Sequence, residues 1–149
     1  MEEMIKVAVD AMGGDYAPSE AIKGAVAAVK EKDNVEVYLV GKQEILEREL
    51  ASCTYPKERI HIVGASEVIE TGEPPVAAIR GKKNSSIVVG MKLVRQGEAD
   101  AFVSAGSSGA ILVGGTTIVG RIKGVERAPL APLSQRKTGY PYLLTVEQM

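Results

Sequence analysis

The chain has a single cysteine, Cys53, and a single histidine, His61, among its 149 residues. One thiol forms no intrachain disulfide and builds no Cys-rich metal site, and its retention as a free residue fits a reducing, cytoplasmic compartment. Cys53 stands in ASCTYP without a neighbouring base to activate it, so it is not expected to act as a nucleophile. His61 sits in an apolar run with no second His, Cys or paired carboxylate in register, and reads as a packed or edge residue rather than a catalyst or ligand. Neither sign of charge is in excess: 18 Lys and Arg against 19 Asp and Glu leave a net charge of −1. That balance supplies no general field for nucleic acid or an anionic membrane, and only local basic clusters remain to steer a partner. Long apolar runs are also missing, because the most apolar stretch, 110–119, is broken by Gly114 and Gly115 and is too short to span a bilayer. The opening MEEMIKVAVD carries acid where a signal peptide carries base, and its apolar run ends at Asp10, so no secretory leader is expected.

What is present is ordinary for one globular domain, 45% hydrophobic and 25% charged. Within it, two stretches share a layout of apolar strand, glycine-containing turn and helix start: IKVAVDAMGGDYAP at 5–18 and AFVSAGSSGA at 101–110. Strands are expected at 4–9, 35–40, 60–63 and 101–104, the first buried on both faces as a central strand. Helices are expected at 18–31, with Pro18 at its first position, at 43–50, from the Ser85-Ser86 pair to about residue 96, and from Ser107-Ser108 onward. The alternation of strand and helix predicts an α/β three-layer domain with a mainly parallel, Rossmann-like sheet. Residues 64–75, with Gly72, Pro74 and Pro75, read as a loop with a turn of helix at 67–70, placed to act as a lid.

In a parallel sheet both glycine turns emerge at the carboxyl edge, where free N–H groups of a following helix receive an anion or a developing oxyanion. In the first turn, the Gly13 and Gly14 N–H groups would face the anion, with Asp15 or Asp10 orienting the network; the alternative is a tight turn in which Asp15 caps the helix. In the second, Ser104, Ser107 and Ser108 surround Gly106 with hydroxyls, and the alternative is that Ser107 or Ser108 serves only as a helix cap. The KKNSS segment places Lys82, Lys83, Ser85 and Ser86 ahead of a helix, either as an anion site or as a solvated basic loop with a capping serine. Arg121, Lys123 and Arg127 form another basic cluster, either a solvated face or a docking surface for an acidic carrier.

The wording of these segments, AVDAMGGD, HIVGASEVIE, KKNSS and EADAFVSAGSSGA in that order, resembles the amino-terminal part of the phosphate acyltransferase family over residues 5–132. The resemblance implies transfer of a fatty acyl group from acyl carrier protein to inorganic phosphate, giving an acyl phosphate for phospholipid synthesis. It also implies a fold like that of the isocitrate and isopropylmalate dehydrogenases; no cofactor and no metal-ligating residues are assigned, and the charge balance leaves no nucleic-acid partner expected. A cytoplasmic homodimer loosely attached at the membrane, working with a membrane glycerol-3-phosphate acyltransferase, follows from the same likeness. Ser104, Ser107, Ser108 and Asp15 then stand as candidate catalytic residues. Asp10, Gly13, Gly14, Lys82, Lys83, Ser85, Ser86 and Gly106 stand as candidate phosphate and substrate contacts. Such a transfer needs a cradle for phosphate, donors for the tetrahedral oxyanion and an exit for the thiol; with a thiol pKa of about 8.5, acid assistance to the leaving group is secondary.

Two other readings compete. A dinucleotide-binding oxidoreductase shares the strand-turn-helix layout, but neither MGGD nor AGSSG satisfies G-x-G-x-x-G, and the second strand ends at Gly41 rather than at an acid for the ribose. An inactive truncated or frameshifted fragment is the other, because residues 133–149 depart from the family pattern and its carboxyl half is not found. Residues 1–132 are accordingly read as the family's amino-terminal α/β part and 133–149 as a divergent tail, with a strand at 142–146.

Overall fold

β-Branched and small apolar residues dominate IKVAVD, and this run forms β1 (Ile5–Asp10), an interior strand with parallel neighbours on both sides. The computed structural model describes residues 3–128 and two short strands beyond them, β5 (Leu133–Ser134) and β6 (Tyr142–Leu143). Along the chain, β1 is followed by α1 (Ser19–Glu31), β2 (Val35–Gly41), α2 (Gln43–Ala51), β3 (Ile60–Gly64), α3 (Pro75–Gly81), α4 (Ser86–Arg95), β4 (Ala101–Val103) and α5 (Ser108–Gly114). A single π-helical turn, Gly115–Val119, continues α5.

The four strands pair in parallel in the order β3-β2-β1-β4. The chain therefore walks outward from β1 to β3 and then returns to the other side of β1. In open α/β sheets this reversal is where loops from adjacent strands part and leave a crevice at the carboxyl edge. Here it lies between β1 and β4, the strands that carry the two glycine turns.

Because side chains alternate along a strand, the sheet has two apolar faces and needs a helical layer on each. Val9, Val37, Leu39 and Ile60 pack against Ile22, Val26 and Val29 of α1 and Leu46 and Leu50 of α2. On the other face Ala8, Val40 and Phe102 meet Leu93 of α4, while Ile79, Ile87, Met91 and Ala110 join α3, α4 and α5 to one another. Gly90 lets α4 approach the sheet, since a Cβ there would fall in the ring of Phe102. The α1 face is less fully covered towards β4. A groove of about 480 Å³ runs there between Ala21, Gly24 and Ala28 of α1 and a floor of Val7, Val9 and Val103. Val103, on the outermost strand at that side, is 54% exposed.

All four expected strands and all four expected helices are found, and the α/β three-layer class with them. The differences are local and have physical causes. Pro18 is the N-cap of α1 rather than its first residue, its carbonyl accepting from the Ile22 N–H at 3.0 Å. The turn of helix expected at 67–70 is instead extended chain, because the Glu67 backbone pairs with Asn84 and Ser86 in a parallel bridge. That bridge and the buried Ile69 fasten the segment expected to form a lid. Pro75 is not part of a loop but the first residue of α3, a position where its missing N–H costs nothing. In the strand expected at 142–146, Tyr142 and Leu143 pair antiparallel with Ser134 and Leu133, and residues 144–146 lie outside the described residues. No helix among the described residues is long and apolar enough to cross a membrane.

Leu39 is fully buried between β2 and α2, so Leu39→Ala should cost about 2–5 kcal/mol of stability in a urea titration. Ile122→Ala, at a side chain 80% exposed, should stay within about 0.5 kcal/mol of the parent.

Candidate functional site at the β1 and β4 turns

Asp10 ends β1 at 2% exposure, and its carboxylate has no cation paired with it among the described residues. It is satisfied by donors instead. Oδ1 accepts the Met12 N–H at 3.0 Å and the Gly13 N–H at 3.1 Å, and Oδ2 accepts the Ser104 hydroxyl at 2.7 Å. The Ser104 oxygen in turn accepts the Gly106 N–H at 3.0 Å. One relay thus joins the turn after β1 to the turn after β4 across 94 residues of sequence.

The turns also meet through their backbones. A Cβ on Gly13 would lie 2.8 Å from the Gly106 nitrogen, so only glycine permits this approach. Gly14 follows with φ of 101°, in the left-handed region that glycine enters without a Cβ penalty. Asp15 and Tyr16 stand exposed at the rim.

Ser107 is the N-cap of α5, its Oγ accepting the Ala110 N–H at 3.3 Å, so the capping role is filled by Ser107 and not by Ser108. Ser108 is exposed, and the Ser108 and Gly109 N–H groups take no acceptor among the described residues. Unspent donors at this edge thus include the Ser108 and Gly109 N–H groups at the start of α5 and the Gly14 N–H of the first turn, which likewise takes no acceptor among the described residues. The Gly13 N–H, expected with that of Gly14 to face an anion, is already given to Asp10, and the N–H of Gly106, a candidate phosphate contact, to Ser104.

In the KKNSS segment the structure shows the capping serine of the second alternative. Ser85 and Ser86 are buried, Ser85 caps α4 through Val88 at 3.3 Å, and the Ser86 hydroxyl has no partner among the described residues. Lys82 is engaged by Glu73 at 2.6 Å and by the Val68 carbonyl at 2.7 Å. Of the four, only Lys83 presents an exposed, unpaired charge among the described residues. The Lys82 hydrogen bond, helped by the Glu70 N–H, holds the Glu73 carboxyl below its ordinary range. His61 faces Glu36 at 3.6 Å and stacks near Tyr38 on the far side of the sheet order, away from the β1 and β4 turns. No cluster of three or more His, Cys, Asp or Glu among the described residues is placed to hold a metal.

Sequence reasoning singled out Asp10 and Ser104 separately but missed their bond to each other. It also missed Glu73 as the partner of Lys82, a pair that flanks α3 and meets through its side chains.

Residues 5–144 match the family model described as fatty acid synthesis protein. The phosphate acyltransferase of Clostridium beijerinckii is 52% identical over 135 residues, covering 91% of this chain and 40% of its own. That of Alkaliphilus oremlandii is 49% identical over 140 residues, covering 94% of this chain and 42% of its own. The chain thus spans about two fifths of these curated relatives. A phosphotransacetylase from Streptococcus pyogenes superposes with a TM-score of 0.63 at 20% identity, over 94% of this chain and 46% of that one, and shares the fold.

Ser104→Ala leaves the buried Asp10 short of a donor and frees the Gly106 N–H, and should cost about 1–3 kcal/mol in chemical denaturation. Lys82→Met should raise the Glu73 pKa towards the ordinary carboxylate value, read by side-chain NMR titration. Since the folded value is the depressed one, the contact stabilises above the unfolded carboxylate pKa and is lost as pH falls through the folded value. In Lys82→Met that part of the acid sensitivity should disappear.

Proposed function

The chain belongs to the fatty acid synthesis protein family, and from that membership we propose that it transfers a fatty acyl group from the thioester of acyl carrier protein to inorganic phosphate. The observation that carries the reading is the 52% identity to a phosphate acyltransferase across nearly the whole chain. A phosphate oxygen attacks the thioester carbon, the tetrahedral adduct collapses, the C–S bond breaks and the thiol leaves, giving an acyl phosphate for phospholipid synthesis.

In this reading the crevice between β1 and β4 holds the reacting groups. The Ser108 hydroxyl and the N–H groups of Ser108 and Gly109 supply neutral donors to the phosphate or to the oxyanion. Ser107 fixes the first turn of α5, and Ser104 and Asp10 hold the two turns in register through Gly13 and Gly106. Asp15 and the Gly14 N–H, at the exposed rim, order water or substrate hydroxyls. Preorganised donors of this kind act where negative charge develops, at no reorganisation cost during the step. The family likeness further supports a cytoplasmic homodimer at the membrane periphery, whose product a membrane glycerol-3-phosphate acyltransferase consumes.

A second reading rests on length: with about two fifths of its relatives' extent, the chain supplies one wall of the site and binds substrates without turning them over. The two are separated by an assay of phosphate-dependent thiol release from acyl carrier protein. Release by the chain supports acyl transfer; carrier binding without release supports the second reading; neither would sink both. Where release is seen, Ser108→Ala should lower kcat by about two to three powers of ten, while the apparent KM for phosphate changes far less. Unchanged kcat would return Ser108 to a structural role.

A further inference from the structure

A second groove, of about 590 Å³, lies on the opposite face of the sheet from α1, bounded by α3, α4 and α5 with its π-helical turn. Its floor is apolar, formed by the half-buried Leu112, Val113 and Ile118, with Ile79 and Val88 of the core behind them almost fully buried. Thr116 and Thr117 belong to one wall, but their hydroxyls are spent on the carbonyls of Leu112 and Val113 at 2.8 and 2.7 Å. What they offer the groove is therefore mostly methyl. The ionic groups lining it are Arg80, Lys83 and Lys92, one sign only. All three are exposed, and none is in an ion pair among the described residues.

An apolar trench with an unpaired cationic rim, in a chain of net charge −1, is complementary to one kind of occupant: an amphipathic helix that buries an apolar stripe and carries carboxylates on its flanks. A flat anionic bilayer would meet the rim but could not reach a concave floor. The trench is also placed for delivery. Val76 lines it, and the neighbouring Pro75 packs on the first turn of α5, where a Cβ on Gly109 would lie 2.7 Å from the Pro75 ring.

We propose that this groove is the docking surface for an acidic amphipathic helix of the protein that carries the acyl thioester, set beside the serine turn that receives the acyl group. The proposal rests on the acyl-transfer reading for the identity of the carrier, and on charge and shape for the surface itself.

The test uses the full chain and acyl carrier protein as the probe, with binding followed by chemical-shift changes on the isotope-labelled carrier. The expected result is binding that weakens with added salt and is reduced about tenfold in Arg80→Glu/Lys92→Glu, with shifts on the carrier's acidic helix. Arg80→Lys/Lys92→Arg should bind as the parent does, and circular dichroism should show both variants folded. Equal binding by the charge-reversed variant overturns the proposal. So does binding of phosphatidylglycerol vesicles, but not of carrier, through the same two cations, or sedimentation showing the groove buried between two copies of the chain. A thioester of a small thiol, offered with phosphate, separates the two readings. Its turnover by parent and charge-reversed variant alike, with carrier binding unaltered, keeps acyl transfer and discards the groove. Groove-dependent carrier binding with no turnover of any thioester keeps the groove and discards acyl transfer.

Discussion

A carboxylate withdrawn from water costs several kcal/mol unless the protein replaces the lost hydration with aimed donors. Asp10 is buried at the end of the central strand, and everything at the carboxyl edge follows from how that cost is met. Its donors come from its own turn, through Met12 and Gly13, and from Ser104 on the neighbouring strand. The carboxylate is thus the reason two loops distant in sequence share one geometry. Gly13 and Gly106 then approach as backbones, because the carboxylate draws both turns inward.

This arrangement divides the edge into donors that build and donors that remain. The N–H groups of Met12, Gly13 and Gly106 build, held in an internal network that fixes loop shape. The Gly14 N–H and those at the start of α5, beside an exposed hydroxyl, remain. Had Asp10 been solvated, the first turn would have offered its amides to an anion directly, but a carboxylate and a phosphate compete for the same donors. The β1 turn thus acts as a buttress for the β4 turn, with its Met12 and Gly13 amides turned inward to Asp10.

How much of this was legible in the chain follows from distance along it. β1, β2, α1 and α4 are local patterns: β-branched runs closed by Asp10 or Gly41, apolar spacing at Ile22, Val26 and Val29, a serine cap at Ser85. Each element is specified by neighbours within a few residues, so the α/β class was readable. The helix at Pro75 was obscured because two prolines beside Gly72 resemble a loop, although Pro at a first helical position is also a start signal. The extended course at Glu67 and the partners of Asp10 and Lys82 are set by residues that no local pattern connects. The site was legible as two fragments, and the bond that makes them one was not. KKNSS stayed ambiguous for a related reason: its cations and serines look alike in sequence, while folding buries Ser85 and Ser86 and engages Lys82, leaving Lys83 at the surface.

The outermost position of β4 bears on how the chain behaves in solution. One flank of this strand hydrogen-bonds to β1, and the other, which meets no strand among the described residues, runs beside the exposed Val103 and the apolar groove along α1. Such an edge is a template for strand addition, and proteins protect it with charge, proline, a bulge or a covering element. None of the three residues of β4, Ala101, Phe102 and Val103, supplies charge or proline. Colloidal stability at high concentration is therefore governed less by the near-neutral surface than by whatever strand or helix covers this flank, and crystallisation or aggregation of the chain would begin there.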